Sequence, residues 1–340
     1  MSEASVQKAL QIKTPESRAK TTAIIAAVIG LTIATGVTAY FNAGKVLAAV
    51  APIGWRGFLA VVGAQAVLFV PLGLAWWVVD PHEKARVAPV FMWGRIAREA
   101  ASDVLPFSQV GGLVIAARCA ILGGVSPASA FGSNIVDVTI EMVAQIIYTL
   151  IGIALLVVHL GLGGGQSKLL LPIVGSVGVG LVIVVSFIAT QRKGLAHLGK
   201  FIQRLAPSAA EHTQAMTEVI EQAYSKPLRL LVGLGLHLFA WFGGAWGTWL
   251  ILDFMGRPLP FVSVVAIESL LFAARNAAFV VPSGLGVQEG IYALLGPLFG
   301  LPSEAALALS LLKRARDVAV GVPVLLSWQF AEGRRTLAGR

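Results

Sequence analysis

The stretch V-V-P-S-G-L-G-V-Q-E-G, residues 280–290, places Pro282, Gly284, Gly286 and the acid Glu289 inside an apolar run. A proline and nearby glycines break a helix and free backbone N–H groups. A second stretch, V-L-P-F-S-Q-V-G-G at 104–112, resembles it, with Pro106 and Gly112. Each leads through a further proline turn into a long apolar segment bearing charge. G-G-V-S-P-A-S-A-F (123–131) precedes Asp137 and Glu141, and F-G-L-P-S-E-A-A-L (299–307) precedes Lys313, Arg314, Arg316 and Asp317. Pro106 to Pro127 is 21 residues, and Pro282 to Pro302 is 20. Paired Gly/Pro-interrupted segments in two halves of a chain point to a transport site near the bilayer midplane. The sequence therefore reads as an approximate internal repeat.

Composition fixes the class. Mean hydropathy is +0.80, hydrophobic residues make up 56% and charged residues 13%, against about 25% charged in a soluble domain. This is the composition of an all-α polytopic membrane protein. Net charge is +9, which fits basic loops facing an anionic leaflet; no compact basic domain offers a nucleic-acid surface. The single cysteine, Cys119, excludes an intrachain disulfide and a thiolate metal cluster. Residues 1–20 lack the layout of a cleaved signal and read as a cytoplasmic tail before a retained first helix.

Six stretches are long enough to span: 22–40, 57–79, 131–159, 170–190, 228–252 and 303–328. Trp76 and Trp77 suit a headgroup boundary, and Gly243 and Gly247 offer a close helix contact. Residues 88–125 and 260–300 each hold two shorter pieces meeting near Pro106 and Pro282. With six full spans and two re-entrant pairs, the basic residues of the N-terminal tail, Lys84, Arg86, Arg192, Lys193 and the C-terminal arginines all fall on one side. Three full crossings per half would invert the second repeat. If both pairs cross fully the count becomes ten, and the sequence does not separate the two. The expected layout is a tail at 1–20, a first membrane repeat at 21–160 and a second at 161–330. A cytoplasmic amphipathic connector at 194–224 and a cytoplasmic tail at 331–340 complete it.

Ionised groups in hydrocarbon are costly and mark cavities or partners. The apolar regions hold seven acids (Glu99, Asp103, Asp137, Glu141, Glu268, Glu289, Asp317) and seven bases (Arg95, Arg98, Arg118, Arg275, Lys313, Arg314, Arg316). They balance, and pairing across the halves is expected. Asn134, Asp137, Glu141 and Gln145 share one helix face. In the K-R-A-R-D run at 313–317, Lys313 and Arg314 are each spaced to reach Asp317, and arginine suits phosphate. The N–H groups freed near Gly284 and Gly286 offer a site for an anionic headgroup at the start of the piece holding Glu289. Metalloprotease, nucleophile-elbow and nucleotide-loop motifs are absent. The five histidines, His237 among them, are scattered and read as structural or interfacial.

P-S-G-L-G-V-Q-E-G at 282–290 is similar to the signature of the lysylphosphatidylglycerol synthase transmembrane, or flippase-like, family. L-P-F-S-Q-V-G-G at 105–112, Arg118 and the D-x-x-x-E of Asp137 and Glu141 resemble its hopanoid-associated branch. The resemblance covers about residues 20–330. It implies a multi-pass protein of the bacterial inner membrane that handles lipids, with both termini cytoplasmic. Two-part relatives carry a soluble aminoacyl-transferase domain after the flippase portion. None is expected after Arg340, so translocation rather than transfer is the expected activity. The expected cargo is a phospholipid or a hopanoid. Expected contacts are Arg118, Asp137, Glu141, Glu268, Arg275, Pro282, Gly284, Gly286, Glu289, Lys313, Arg314, Arg316 and Asp317, with no cofactor and no metal. A membrane-embedded enzyme acting on a lipid headgroup, or a scaffold for lipid-synthesis enzymes, are the other readings the sequence allows.

Overall fold

The computed structural model describes residue 48 and residues 50–82, 85–104, 108–160, 207–277 and 286–337. Among these, nine α-helices and no strand are present. They are α1 (Gly54–Val79), α2 (Ala88–Val104), α3 (Ser108–Leu122), α4 (Pro127–Leu160), α5 (Pro207–Tyr224), α6 (Pro227–Phe254), α7 (Phe261–Ala277), α8 (Val287–Leu295) and α9 (Ser303–Leu337). The expected all-α membrane architecture is what the chain adopts.

Ala51–Val79, α4 and α6 are long and apolar enough to cross a bilayer, matching the expected spans 57–79, 131–159 and 228–252. The 35-residue α9 covers the stretch expected at 303–328, and carries four charged residues in the run 313–317. The expected spans 22–40 and 170–190 lie outside the described residues, as do Pro106, Pro282 and Gly284. The broken segments are short. α2 has 17 residues, α3 has 15, α7 has 17 and α8 has 9. At 1.5 Å per residue none exceeds about 26 Å, less than the roughly 30 Å of hydrocarbon.

The two proline-broken stretches end alike in their local hydrogen bonding. Gly124 (φ 94°) follows α3, and Gly300 (φ 83°) follows the 3-10 turn Gly296–Phe299 after α8. Only glycine adopts this left-handed geometry without strain. In each case the next residue is a buried hydrophobe, Val125 or Leu301. Its N–H reaches back five residues: Val125 to the Ala120 carbonyl at 3.1 Å and Leu301 to the Gly296 carbonyl at 2.9 Å. That is the Schellman stop. Each of the long helices α4 and α9 begins two residues later.

Helix packing follows the same logic. A Cβ added at Gly57 would touch Phe254, one at Gly243 would meet Leu68 Cδ2 at 2.2 Å, and one at Gly233 would lie 3.0 Å from Val79. Position falls on α6 as it rises on α1, so the two run antiparallel. Gly247, expected to share this contact, faces open space instead. Outside that seam, α4 of the first half packs on α7 of the second, and α9 of the second packs on α2 of the first. This reciprocal exchange is what a two-fold relation between the halves would produce, with α1 and α6 at its centre. Gly152 of α4 is essential to one side of it: a Cβ there would lie 1.6 Å from Ser269 Oγ of α7.

The connector expected at 194–224 is described from Pro207 as α5. Rather than lying free on a surface, α5 docks on α4. Its Val219, Ile220 and Ala223 are buried, and Gly132 makes room for Met216 and Val219.

Candidate functional site

The buried charges gather where broken helices meet long ones. In the first half, α2 carries Arg95 and Arg98 at i,i+3, and α4 carries Asp137 and Glu141 at i,i+4, so each pair shares a helix face. Arg95 donates from Nη1 to Asp137 Oδ2 at 3.0 Å and from Nη2 to Glu141 Oε1 at 2.5 Å; it also pairs with Glu99 at 2.8 Å. Arg98 reaches Glu141 Oε2 at 2.7 Å and Asp137 Oδ2 at 3.4 Å. Such bidentate guanidinium–carboxylate forks offset the cost of burial. Arg95 is only 1% exposed. One member comes from the other half: His237 Nε2 of α6 lies 2.9 Å from Asp137 Oδ1.

In the second half, Lys313 of α9 donates to Glu268 Oε2 of α7 at 2.5 Å and to the Tyr292 hydroxyl of α8 at 2.8 Å. That hydroxyl donates to the other Glu268 oxygen. Arg314 grips Glu289 through Nε to Oε1 at 2.5 Å and Nη2 to Oε2 at 3.0 Å. Ser310 Oγ adds a 3.1 Å bond to Glu289 Oε1, and Gln288 fastens Ser310 at 2.9 Å.

The two clusters occupy equivalent places. Counted from the first residue of each helix, Arg95 is eighth in α2 and Glu268 is eighth in α7. Asp137 and Glu141 are eleventh and fifteenth in α4; Lys313 and Asp317 are eleventh and fifteenth in α9. The Arg95–Asp137 pair thus recurs as Glu268–Lys313 with its polarity reversed. A third group joins the halves: Arg275 of α7 bonds Asp103 of α2 at 3.2 Å. Asp317, held by Arg316 at 2.7 Å, lies within the field of Asp103 and Arg275.

Residues 27–324 match the family described as lysylphosphatidylglycerol synthase TM region. The chain belongs to this family. Curated proteins and solved structures give no match. Membership establishes a multi-pass membrane protein related to lipid handling.

Within this family member, several sequence expectations change. Pairing runs mainly within each half; among the described residues, Asp103–Arg275 and Asp137–His237 are the cross-half contacts of a carboxylate with a basic side chain. Neither Lys313 nor Arg314 turns to Asp317. Both reach acids on α7 and α8, while Asp317 takes its neighbour Arg316. The Gly286 N–H, expected to receive an anion, donates to Glu289 Oε2 at 2.9 Å; the helix caps its own start. Arg118 is exposed on α3, away from the side that buries Ala116, Ala117 and Ala120. Pro282 and Gly284 are outside the described residues. Asn134 and Gln145, on the face of Asp137 and Glu141, bond the Leu113 carbonyl and Thr149.

Four site members escape the sequence reading. Arg95 and Arg98 count among the bases but carry no assigned role, although R-x-x-R puts both on one face of α2, as D-x-x-x-E does for the acids on α4. Tyr292 lies one turn after Glu289. His237, expected near a membrane edge, is the eleventh residue of the 28-residue α6 and fully buried. A titratable group amid an apolar span was its signal.

Proposed function

We propose that this protein moves a lipid with a polar or anionic headgroup across or out of the bacterial inner membrane, with both termini in the cytoplasm and a phospholipid or hopanoid as cargo. One observation carries the reading: two buried ion clusters of opposite polarity sit at equivalent positions of the two halves. Each forms where a helix too short to span meets a long one. Charges are kept at such depth when they line a path or hold two states. Arg314 is the group placed to meet an anionic headgroup. Its side chain is 22% exposed while the Glu289 it holds is buried. Arg316 and Arg275 stand at the junction of the halves, while the lipid tail would stay in the bilayer.

The test is translocation in liposomes with headgroup-labelled lipids. Wild-type protein is expected to exchange label between leaflets, and the double variant Arg314→Ala, Glu289→Ala to lose most of that exchange. Equal rates would sink the reading. The Glu268–Tyr292–Lys313 hydrogen-bonded triad supports a second reading, acid–base modification of a headgroup. Mass spectrometry of lipids from cells with and without the protein separates them. A missing species favours the enzyme; an unchanged inventory with altered leaflet placement favours the transporter.

A further inference from the structure

We propose that His237, with Asp137, forms a proton-binding site at the centre of the first-half cluster, and that its ligand is the coupling ion for translocation. What it drives rests on the transport reading; that it binds a proton does not. The geometry is specific. His237 is fully buried in the middle of an apolar span. Its Nε2 meets Asp137 Oδ1 at 2.9 Å, and its Nδ1 has no hydrogen-bond partner. Asp137, the side chain it touches, belongs to a cluster whose described charges do not balance. Arg95 and Arg98 face Asp137, Glu141 and Glu99, two cations against three anions. One proton on the imidazole closes that gap. Imidazole is the side chain whose ordinary titration range lies near physiological pH.

Among the described residues, the surrounding helices show no further charged side chain bonded to His237. Between Arg56 and Asp80, α1 carries no titratable side chain. The α5 acids Glu218 and Glu221 point outward. Arg229, on α6 itself, is taken by the Asp80 carbonyl at 2.7 Å. Glu268 of α7 is bound by Lys313 of α9. The groups that face His237 are therefore Asp137 and Glu141 of α4 and, through them, Arg95, Arg98 and Glu99 of α2. Because His237 is on α6 and its partners are on α2 and α4, its charge state biases a contact between the halves. Protonation turns the Nε2 contact into an ion pair that draws α6 to α4; loss of the proton leaves an ordinary hydrogen bond. A ligand shifts a two-state equilibrium by as much as its affinities for the states differ.

Two measurements test this. In nanodiscs containing histidine-labelled protein, the nitrogen spectrum of His237 is assigned by its loss in His237→Gln. Its imidazole is expected to pass between singly and doubly protonated forms as the pH is changed. A ring fixed in one form throughout overturns the site. In liposomes under an imposed pH gradient of either sense, labelled lipid is expected to accumulate in one leaflet. For one proton per lipid the ratio reaches up to about tenfold per pH unit; His237→Gln is expected to hold it at unity. Exchange by wild-type protein that ignores the gradient overturns the coupling and leaves the transport reading standing. A titrating ring in a protein that moves no lipid upholds the site and sinks the transport reading instead.

Discussion

The first-half and second-half clusters stand at the same helix positions yet solve burial differently. Around Arg95 the two guanidiniums and three carboxylates form a dense lattice in which each guanidinium spans both α4 acids. Around Lys313 there is one ammonium, one carboxylate and a tyrosine hydroxyl between them. The first arrangement is held by its guanidiniums, and the imidazole is its one variable member. The second has a neutral hydroxyl to fall back on: without its cation, Glu268 would keep the bond from Tyr292. One cluster thus confines any change of charge to a single ring, while the other keeps a neutral partner for its acid.

The sharpest way to break this contrast is Arg95→Met. It leaves Arg98 as the only arginine shown holding Asp137 and Glu141, and removing one partner of a buried ion pair costs about 3–5 kcal/mol. Unfolding in detergent should show that loss, and Asp137→Asn in the same chain should recover part of it. Lys313→Met should cost less, about 1–3 kcal/mol, because Glu268 keeps the bond it accepts from the Tyr292 hydroxyl. Equal losses for the two single variants would end the distinction.

The reversed polarity can be sharpened by exchange. Glu268→Lys combined with Lys313→Glu restores a pair of the first-half polarity at the same two positions. The double variant should be more stable than the sum of its single variants by about 0.5–3 kcal/mol. A strictly additive result would show that neighbouring groups, not the pair, set the burial.

These contrasts also explain what the sequence revealed. Helix ends were legible wherever chemistry is local. Pro127, Ser303, Gly124 and Gly300 punctuate the chain by backbone geometry alone, so the repeat could be read. The acids of α4 were legible too, because a shared face follows from spacing. Partner choice was not. Lys313 and Arg314 are adjacent, yet the turn of α9 sends one to α7 and the other to α8. His237 and Asp137 are 100 residues apart, and only the α4–α6 packing joins them. Spacing within a helix fixes which side chains share a face; the neighbour that face meets depends on glycine seams such as Gly243 with Leu68, which hydropathy does not encode.

The smallest effect is expected at the junction of the two regions. Asp103 and Arg275 are about a quarter and a fifth exposed, so water already screens their contact. Asp103→Asn should change stability by about 1 kcal/mol or less. Its consequence for motion should be larger than that figure implies. Asp103 sits on α2 beside the rigid lattice, and Arg275 sits on α7 beside the tolerant triad, so their bond ties one region to the other. Loss of that tie leaves each cluster intact and loosens only their coupling. The expected result in liposomes is altered lipid exchange in a protein whose unfolding midpoint barely moves. If stability and exchange instead change together, Asp103 belongs to the lattice, and the line drawn between the two regions is in the wrong place.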